Sequence, residues 1–231
     1  MTRWLELGDG VYARRHEYLD LTLGLVVGGE RCLVVDTGGD EVQGARFAAA
    51  VREVTGAPWL VALTHAHFDH HFGTRPFLPC PVWAHERCRA AMGADREEWV
   101  SEFRREGKDE LAQRLREAEL VAPTSTFAED VTLDLGGRTV TLLHPGRGHT
   151  DHDVAVHVPD ADVLFAGDLV EAPPSVGADS HVGDWPHALD RLLALRPGTI
   201  VPGHGDPVAA AFVRRQREEL SRSSADRCGS A

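Results

Sequence analysis

Cysteine is scarce: four residues in 231 (Cys32, Cys80, Cys88 and Cys228), with no C-x-x-C pair. That spacing argues against a disulfide framework and against a thiolate zinc site. No run approaches 18 uninterrupted apolar residues, so the sequence holds no candidate membrane-spanning helix. The opening residues lack the apolar stretch and small-residue cleavage site of a signal peptide, and a cytoplasmic location is the expectation. Positive charge is also short. Lys and Arg total 24 against 36 Asp and Glu, a formal charge of −12, which disfavours nucleic acid as a partner. Histidine is in excess, with 13 residues, and these cluster.

Short β-prone runs over Val11–His16, Leu21–Gly28 and Arg31–Asp36 are separated by turn residues. A helix is predicted over Glu41–Val54 and a buried strand over Trp59–Thr64, followed by a short strand at Pro81–Ala84. Arg96–Leu120 reads as one heavily charged helix with a solvated face. Strands return at Val131–Leu135 and Arg138–Leu143 around Gly136-Gly137, then at Val154–Val158, Val163–Ala166 and Thr199–Val201. Helices are predicted over Asp184–Leu195, with Asp184 as N-cap, and over Pro207–Leu220. One domain over residues 1–220 with a disordered tail at 221–231 is the expected organisation. Two strand-rich halves, each carrying helices, favour two sheets packed face to face with helices outside.

Thr64-His65-Ala66-His67-Phe68-Asp69-His70 follows the Trp59 strand directly. If the backbone stays extended there, His65, His67 and Asp69 project to one side. A turn into a helix would then bring His70 round to the same pocket. Imidazole and carboxylate together are the donors that first-row divalent metals prefer. Three further elements place a metal-capable side chain beside glycine at a strand end: Gly148-His149-Thr150, Ala166-Gly167-Asp168 and Pro202-Gly203-His204. One such residue would be structural; seven in this order point to one binuclear site. Asp36, in Asp36-Thr37-Gly38, is either a partner of a ligand histidine or a turn residue bonding local N–H groups. Asp151 reads as an ordinary loop residue.

With these motifs (HAHFDH, GHT, AGD and PGHG, plus the DTG at Asp36) the sequence resembles the metallo-β-lactamase-fold hydrolase superfamily. The resemblance implies an α+β fold, an αββα sandwich of two mixed β-sheets with flanking helices and the metals at one edge. By position it implies that His65, His67 and His149 hold one metal, that Asp69, His70 and His204 hold the second, and that Asp168 bridges them. Two divalent ions per chain, zinc first and iron or manganese as alternatives, would share a hydroxide that attacks a carbonyl or phosphoryl centre. Asp69 would orient that nucleophile and take up its proton.

Within the superfamily, true β-lactamases lack the bridging carboxylate, and the tRNA 3′-processing endonucleases need a basic arm. Lactonases match the ligand set well, but Tyr12 and Tyr18 are the only tyrosines, and neither is placed as their catalytic tyrosine. The pattern looks most like small bacterial metallohydrolases, including quinoprotein-associated ones. The expected function is hydrolysis of a small ester, lactone or thioester. The alternatives are a mononuclear iron persulfide dioxygenase and a non-catalytic metal-binding module. Substrate contacts are expected from the loop 171–185, through Ser175, His181 and Trp185.

Overall fold

The structure, a computed structural model, describes residues 3–171 and 174–228, with 224–228 by backbone. In chain order its strands and helices are β1 (Trp4–Gly8), β2 (Val11–Arg15), β3 (Thr22–Val27), β4 (Cys32–Val35), α1 (Glu41–Val54), β5 (Trp59–Ala62), α2 (Phe68–His71), β6 (Val82–His85), α3 (Cys88–Ala91), α4 (Arg96–Arg105) and α5 (Asp109–Glu117). They continue as β7 (Ser125–Phe127), β8 (Val131–Asp134), β9 (Thr139–Leu143), β10 (Ala155–Val158), β11 (Val163–Gly167), α6 (Trp185–Ala194), β12 (Thr199–Pro202) and α7 (Ala210–Cys228).

Strands β1 to β7 form one sheet in sequence order, antiparallel through β4 and parallel from β4 to β7. The second sheet runs β12-β11-β10-β9-β8, with only β11 and β12 parallel. Both sheets are therefore mixed. Alternation along the strands builds three apolar layers. Leu33 and Val35 of β4 face β9 to β11 across the sandwich, where Val140, Val156 and Phe165 meet them. Cys32 and Val34 point the other way, onto Phe47 and Val51 of α1. Leu164 and Ile200 of the second sheet pack outward against Leu189, Leu192 and Val213 of α6 and α7. That is the expected αββα sandwich.

Three expectations need correction. The run Arg96–Leu120 is two helices, broken where Gly107 takes φ +72 and the Lys108 N–H closes on Phe103 O at 2.7 Å. Strand β1 was not apparent in the sequence, since Leu5 and Glu6 are exposed and its other residues only half-buried. The closing helix does not stop at Leu220; α7 runs to Cys228, through the first part of the segment read as a disordered tail. Its serines do not break it, because the Ser221 and Ser223 hydroxyls donate to carbonyls one turn back. Residues 229–231 lie outside the described residues. Among the described residues no helix is long and apolar enough to cross a membrane, and Cys32, Cys80 and Cys88 are free thiols.

His16 illustrates how this packing couples stability to pH. Its Nε2 is buried without a partner, and burial, helped by Arg14, pushes its pKa down to about 4. A folded pKa below the unfolded value stabilises above pH 6.5, and that contribution is lost as pH falls through 4. The difference corresponds to roughly 3 kcal/mol at most. His16→Leu should therefore lose less stability than the parent between pH 7 and pH 4, measured by urea unfolding at each pH.

Candidate metal centre

The site lies at one edge of the sandwich, where β5, β11 and β12 end. Past β5 the chain does not stay extended: it bends at Thr64, Ala66 and His67 and enters α2 at Phe68. This short helix, not strand alternation, brings Asp69 and His70 round to meet His65 and His67. Two groups of donors result, His65, His67, His149 and Asp168 in one and Asp69, His70 and His204 in the other, and a third set, Asp168, Glu171 and His204, overlaps them. Asp168 lies between them. Its Oδ2 is 3.5 Å from His149 Nε2, 3.7 Å from His65 Nε2 and 3.3 Å from His204 Nε2, and its Oδ1 is 3.2 Å from His70 Nε2. Gly203 makes this approach feasible, since a Cβ there would stand 1.8 Å from Asp168 Oδ1.

Each of the five histidines has one ring nitrogen tied to an acceptor outside the site. His65 Nδ1 donates to Thr64 Oγ1 (3.0 Å), His70 Nδ1 to Asp36 Oδ2 (2.8 Å) and His149 Nδ1 to Ser175 O (3.2 Å). His204 Nδ1 donates to Leu19 O (2.7 Å), and His67 uses its Nε2 instead, to Asp179 Oδ2 (3.0 Å). The opposite nitrogen of every ring then carries its lone pair into the site, a tautomer selection common to metal-binding histidines. His67 Nδ1 lies 3.1 Å from His65 Nε2 and 2.9 Å from His149 Nε2. His70 Nε2 and Asp168 Oδ1 are buried with no hydrogen-bond partner. Buried polar atoms are rarely left so. A cation would satisfy both, so the residues fit a metal, and the all-N/O donor set suits zinc, iron or manganese.

Electrostatics agree with such a role. Burial and then the neighbouring His70 hold the His65 pKa well below its usual value, and burial takes His149 down to about 4. Burial opposes charge on His204 too, but Asp168 and Asp69 override it and push the pKa up to about 12. A cluster that would otherwise take up protons next to its carboxylates is suited to hold a metal cation instead.

The surrounding parts can now be placed. Asp36 is a partner of a ligand candidate, not only a turn residue. Its Oδ2 accepts from His70 Nδ1 and from Thr64 Oγ1, and its Oδ1 accepts from Thr64 N at 2.7 Å. It does so from a left-handed backbone, φ 59, a conformation kept only where the surroundings enforce it. Asp153, buried and pushed up to about 7 by burial, accepts from Thr150 N and Oγ1 and fixes the turn after His149. A cavity of about 810 Å³ opens over the donors. Ser175 and His181, of the 171–185 loop, line it, with Ser175 also giving its carbonyl to His149. Trp185 does not line it. That indole is fully buried, donates Nε1–H to Leu169 O and stacks edge-on behind His149. Its place just inside α6, on the face turned to the second sheet, makes it a core residue.

Sequence reasoning missed Asp179, whose bond to His67 holds its own carboxyl down at about 2. It also missed Glu171, buried within 4.0 Å of His204 Nε2 and pushed up to about 9 by burial and then by Asp168. No motif marks either residue, although both lie in the loop singled out. Asp151 was misjudged as an ordinary loop residue, since Arg87 pairs with it and His152 Nδ1 donates to it at 2.8 Å. Asp95 and Trp99, from the start of α4, complete the cavity wall.

The model of the metallo-beta-lactamase superfamily matches residues 22–204. The chain belongs to that superfamily. It is 27% identical over 226 residues to the acyl-coenzyme A thioesterase MBLAC2 of Bos taurus, covering 86% of this chain and 79% of the relative. It is 28% identical over 192 residues to the probable metallo-hydrolase YqgX of Bacillus subtilis, covering 78% and 82%. A solved metallo-beta-lactamase from Pontibacter korlensis superposes with a TM-score of 0.75 at 22% identity, covering 95% of this chain and 99% of the other, which shows the shared fold. The superfamily and its hydrolase-named members make this chain a metal-dependent hydrolase.

Proposed function

We propose that the chain is a dinuclear zinc hydrolase of a small uncharged ester, lactone or thioester, acting in the cytoplasm without nucleic acid or membrane as partner. The observation that carries this is the set of five histidines with outward nitrogens tied off, arranged in two donor groups on either side of Asp168. In this reading His65, His67 and His149 would hold one ion and Asp69, His70 and His204 the other, with Asp168 available to both. Bound ions supply Lewis-acid polarisation of the substrate oxygen and a water that ionises near neutral pH. Asp69, on the cavity floor, orients the attacking water and takes its proton at the carboxylate. Asp36 keeps His70 in its tautomer throughout, and Ser175 and Asp179 hold His149 and His67 in theirs.

The cavity wall, which also carries the carboxylates of Asp95, Glu98, Asp151 and Asp179, disfavours an anionic acyl substrate. Among the described residues no lysine or arginine lines it, while Leu19, Ala91, Trp99 and Val176 offer apolar surface. Phosphate groups, such as those of an acyl-coenzyme A, would therefore have to stay outside. The decisive experiment pairs metal analysis of protein expressed without supplementation with a panel of esters, lactones and thioesters. Close to two zinc ions per chain and turnover on the panel are expected. One tightly held iron with oxygen uptake on persulfides would replace the proposal with a dioxygenase. No metal and no rescue by zinc, manganese or iron would leave a protein without this activity.

Trp99 gives a second measurement. Its ring packs on Phe68 at 4.9 Å between centroids and lines the cavity from the charged helix α4. Trp99→Ala should raise KM about 10- to 100-fold, the worth of about 1–3 kcal/mol of apolar contact. Metal content should not change. An unchanged KM across the panel would remove Trp99 from the substrate wall.

A further inference from the structure

The segment that carries four of the seven donors is not held by a sheet. Beyond Leu63, whose N–H still donates to Trp83 O, the backbone leaves β5 and bends repeatedly before α2. Three of its N–H groups, at alternate residues, nonetheless have partners, and these are side chains. Thr64 N donates to Asp36 Oδ1 (2.7 Å), Ala66 N to His152 Nε2 (3.2 Å) and Phe68 N to Asp95 Oδ2 (2.9 Å). The acceptors come from three separate places: the end of β4, the turn after His149 and the start of α4. Irregular buried backbone needs such partners, because each unpaired N–H there costs free energy.

Two of these acceptors have no part in the superfamily motifs quoted above. His152 is buried, and its ring is oriented from behind. Nδ1 donates to Asp151 Oδ1, and the Arg87 guanidinium bonds the Asp151 carbonyl at 2.6 and 2.9 Å. Nε2 is thus left bare for Ala66 N, midway between His65 and His67. Asp95 occupies the N-cap position of α4 but makes no side-chain cap bond there. Its carboxylate crosses to Phe68, the first residue of α2, and so caps the helix that bears Asp69 and His70.

We propose that His152 and Asp95 are positioning residues that set the spacing of the four donors on residues 65–70 by holding the amides of Ala66 and Phe68. Each acts as a hydrogen-bond acceptor only; neither contacts metal or substrate in this role. A displaced 66 amide would swing His65 and His67 apart, and a freed 68 amide would uncap α2 and loosen Asp69 and His70.

The test separates acceptor from bulk. Gln at 152 can place an oxygen where Nε2 sits, whereas Phe keeps the ring without an acceptor; Asn at 95 keeps an acceptor, whereas Ala does not. Full-length H152F and D95A should bind Zn2+ about 10- to 100-fold more weakly by chelator competition, the usual effect of removing an outer partner. Their Co2+-substituted forms should show a changed visible spectrum. H152Q and D95N should stay within about threefold of the parent. Amide exchange in the metal-free protein gives an independent readout: residue 66 should exchange faster in H152F and residue 68 in D95A, with both protected in H152Q and D95N. Parental zinc affinity and spectrum in H152F and D95A would overturn the proposal. So would losses in H152Q and D95N as large as in their partners. Should H152F and D95A prove insoluble, exchange at 66 and 68 in H152Q and D95N decides, and deprotection there overturns it.

Discussion

Asp168→Ala should purify with well under half of the parent's metal and show no measurable turnover. The carboxylate is buried and stands within 3.7 Å of a ring nitrogen from each of His65, His70, His149 and His204. Those imidazoles come from three separate chain segments, and Asp168 is the anion they share. Its pKa is held well below the ordinary carboxylate range, with His70 and then His204 overcoming the opposing effect of burial. Taking the anion away leaves the site with Asp69 as its one remaining carboxylate among the seven donors, so two dications would be poorly compensated. The weakening of metal binding should exceed the roughly 10- to 100-fold expected when only an outer partner is lost. Asp151→Ala is the control. Because Asp151 orients His152 at one remove from the donors, it should cost less than about tenfold in zinc affinity. Plasma emission analysis of both variants checks this, and equal metal loss would mean that Asp168 is not the shared ligand.

Much of this site was legible before any coordinates, for a physical reason. Metal donors must be particular residue types at strand ends beside small residues; His149, Asp168 and His204 therefore announce themselves with their glycines, and His65 with the H-x-H-x-D-H run that it opens. The parts that hold them do not. Thr64, Asp179, Ser175 and Leu19 bond four of the five histidines, partly through backbone carbonyls, which carry no residue signature at all. The route by which His65 to His70 converge was also hidden. An extended chain predicts alternation, but the backbone bends into α2 while three side-chain acceptors, all far away in sequence, hold its N–H groups. Strand patterning favoured two packed sheets and the resemblance implied the αββα sandwich, whereas β1 could not be read because one exposed edge strand lacks a buried face to set a period. The α4–α5 break failed to register because the charge pattern continues across Gly107.

Trp185→Ala should lower the thermal midpoint by about 6–20 °C and leave KM within about twofold of the parent. An aromatic in the 171–185 loop invited assignment to the substrate, but the indole has no exposed surface and its Nε1–H is spent on Leu169 O. It packs among Leu143, Val170 and Leu189, and its ring meets His149 at 5.6 Å between centroids. Gly148 leaves room for it, as a Cβ there would come 3.2 Å from Trp185 Cδ1 and 2.5 Å from Leu169. Removing a fully buried Trp costs about 3–5 kcal/mol, and at this chain length each kcal/mol shifts the midpoint by about 2–4 °C. Any loss of turnover should arise from His149, which loses the wall behind it, and should therefore appear in kcat and metal affinity, not in KM. Trp99→Ala should show the reverse pattern, KM without metal loss. One tryptophan packs against His149 outside the cavity lining, and the other lines the cavity. Calorimetry and steady-state kinetics on the pair distinguish support from recognition. A raised KM with an unchanged midpoint in Trp185→Ala would return that residue to the substrate wall.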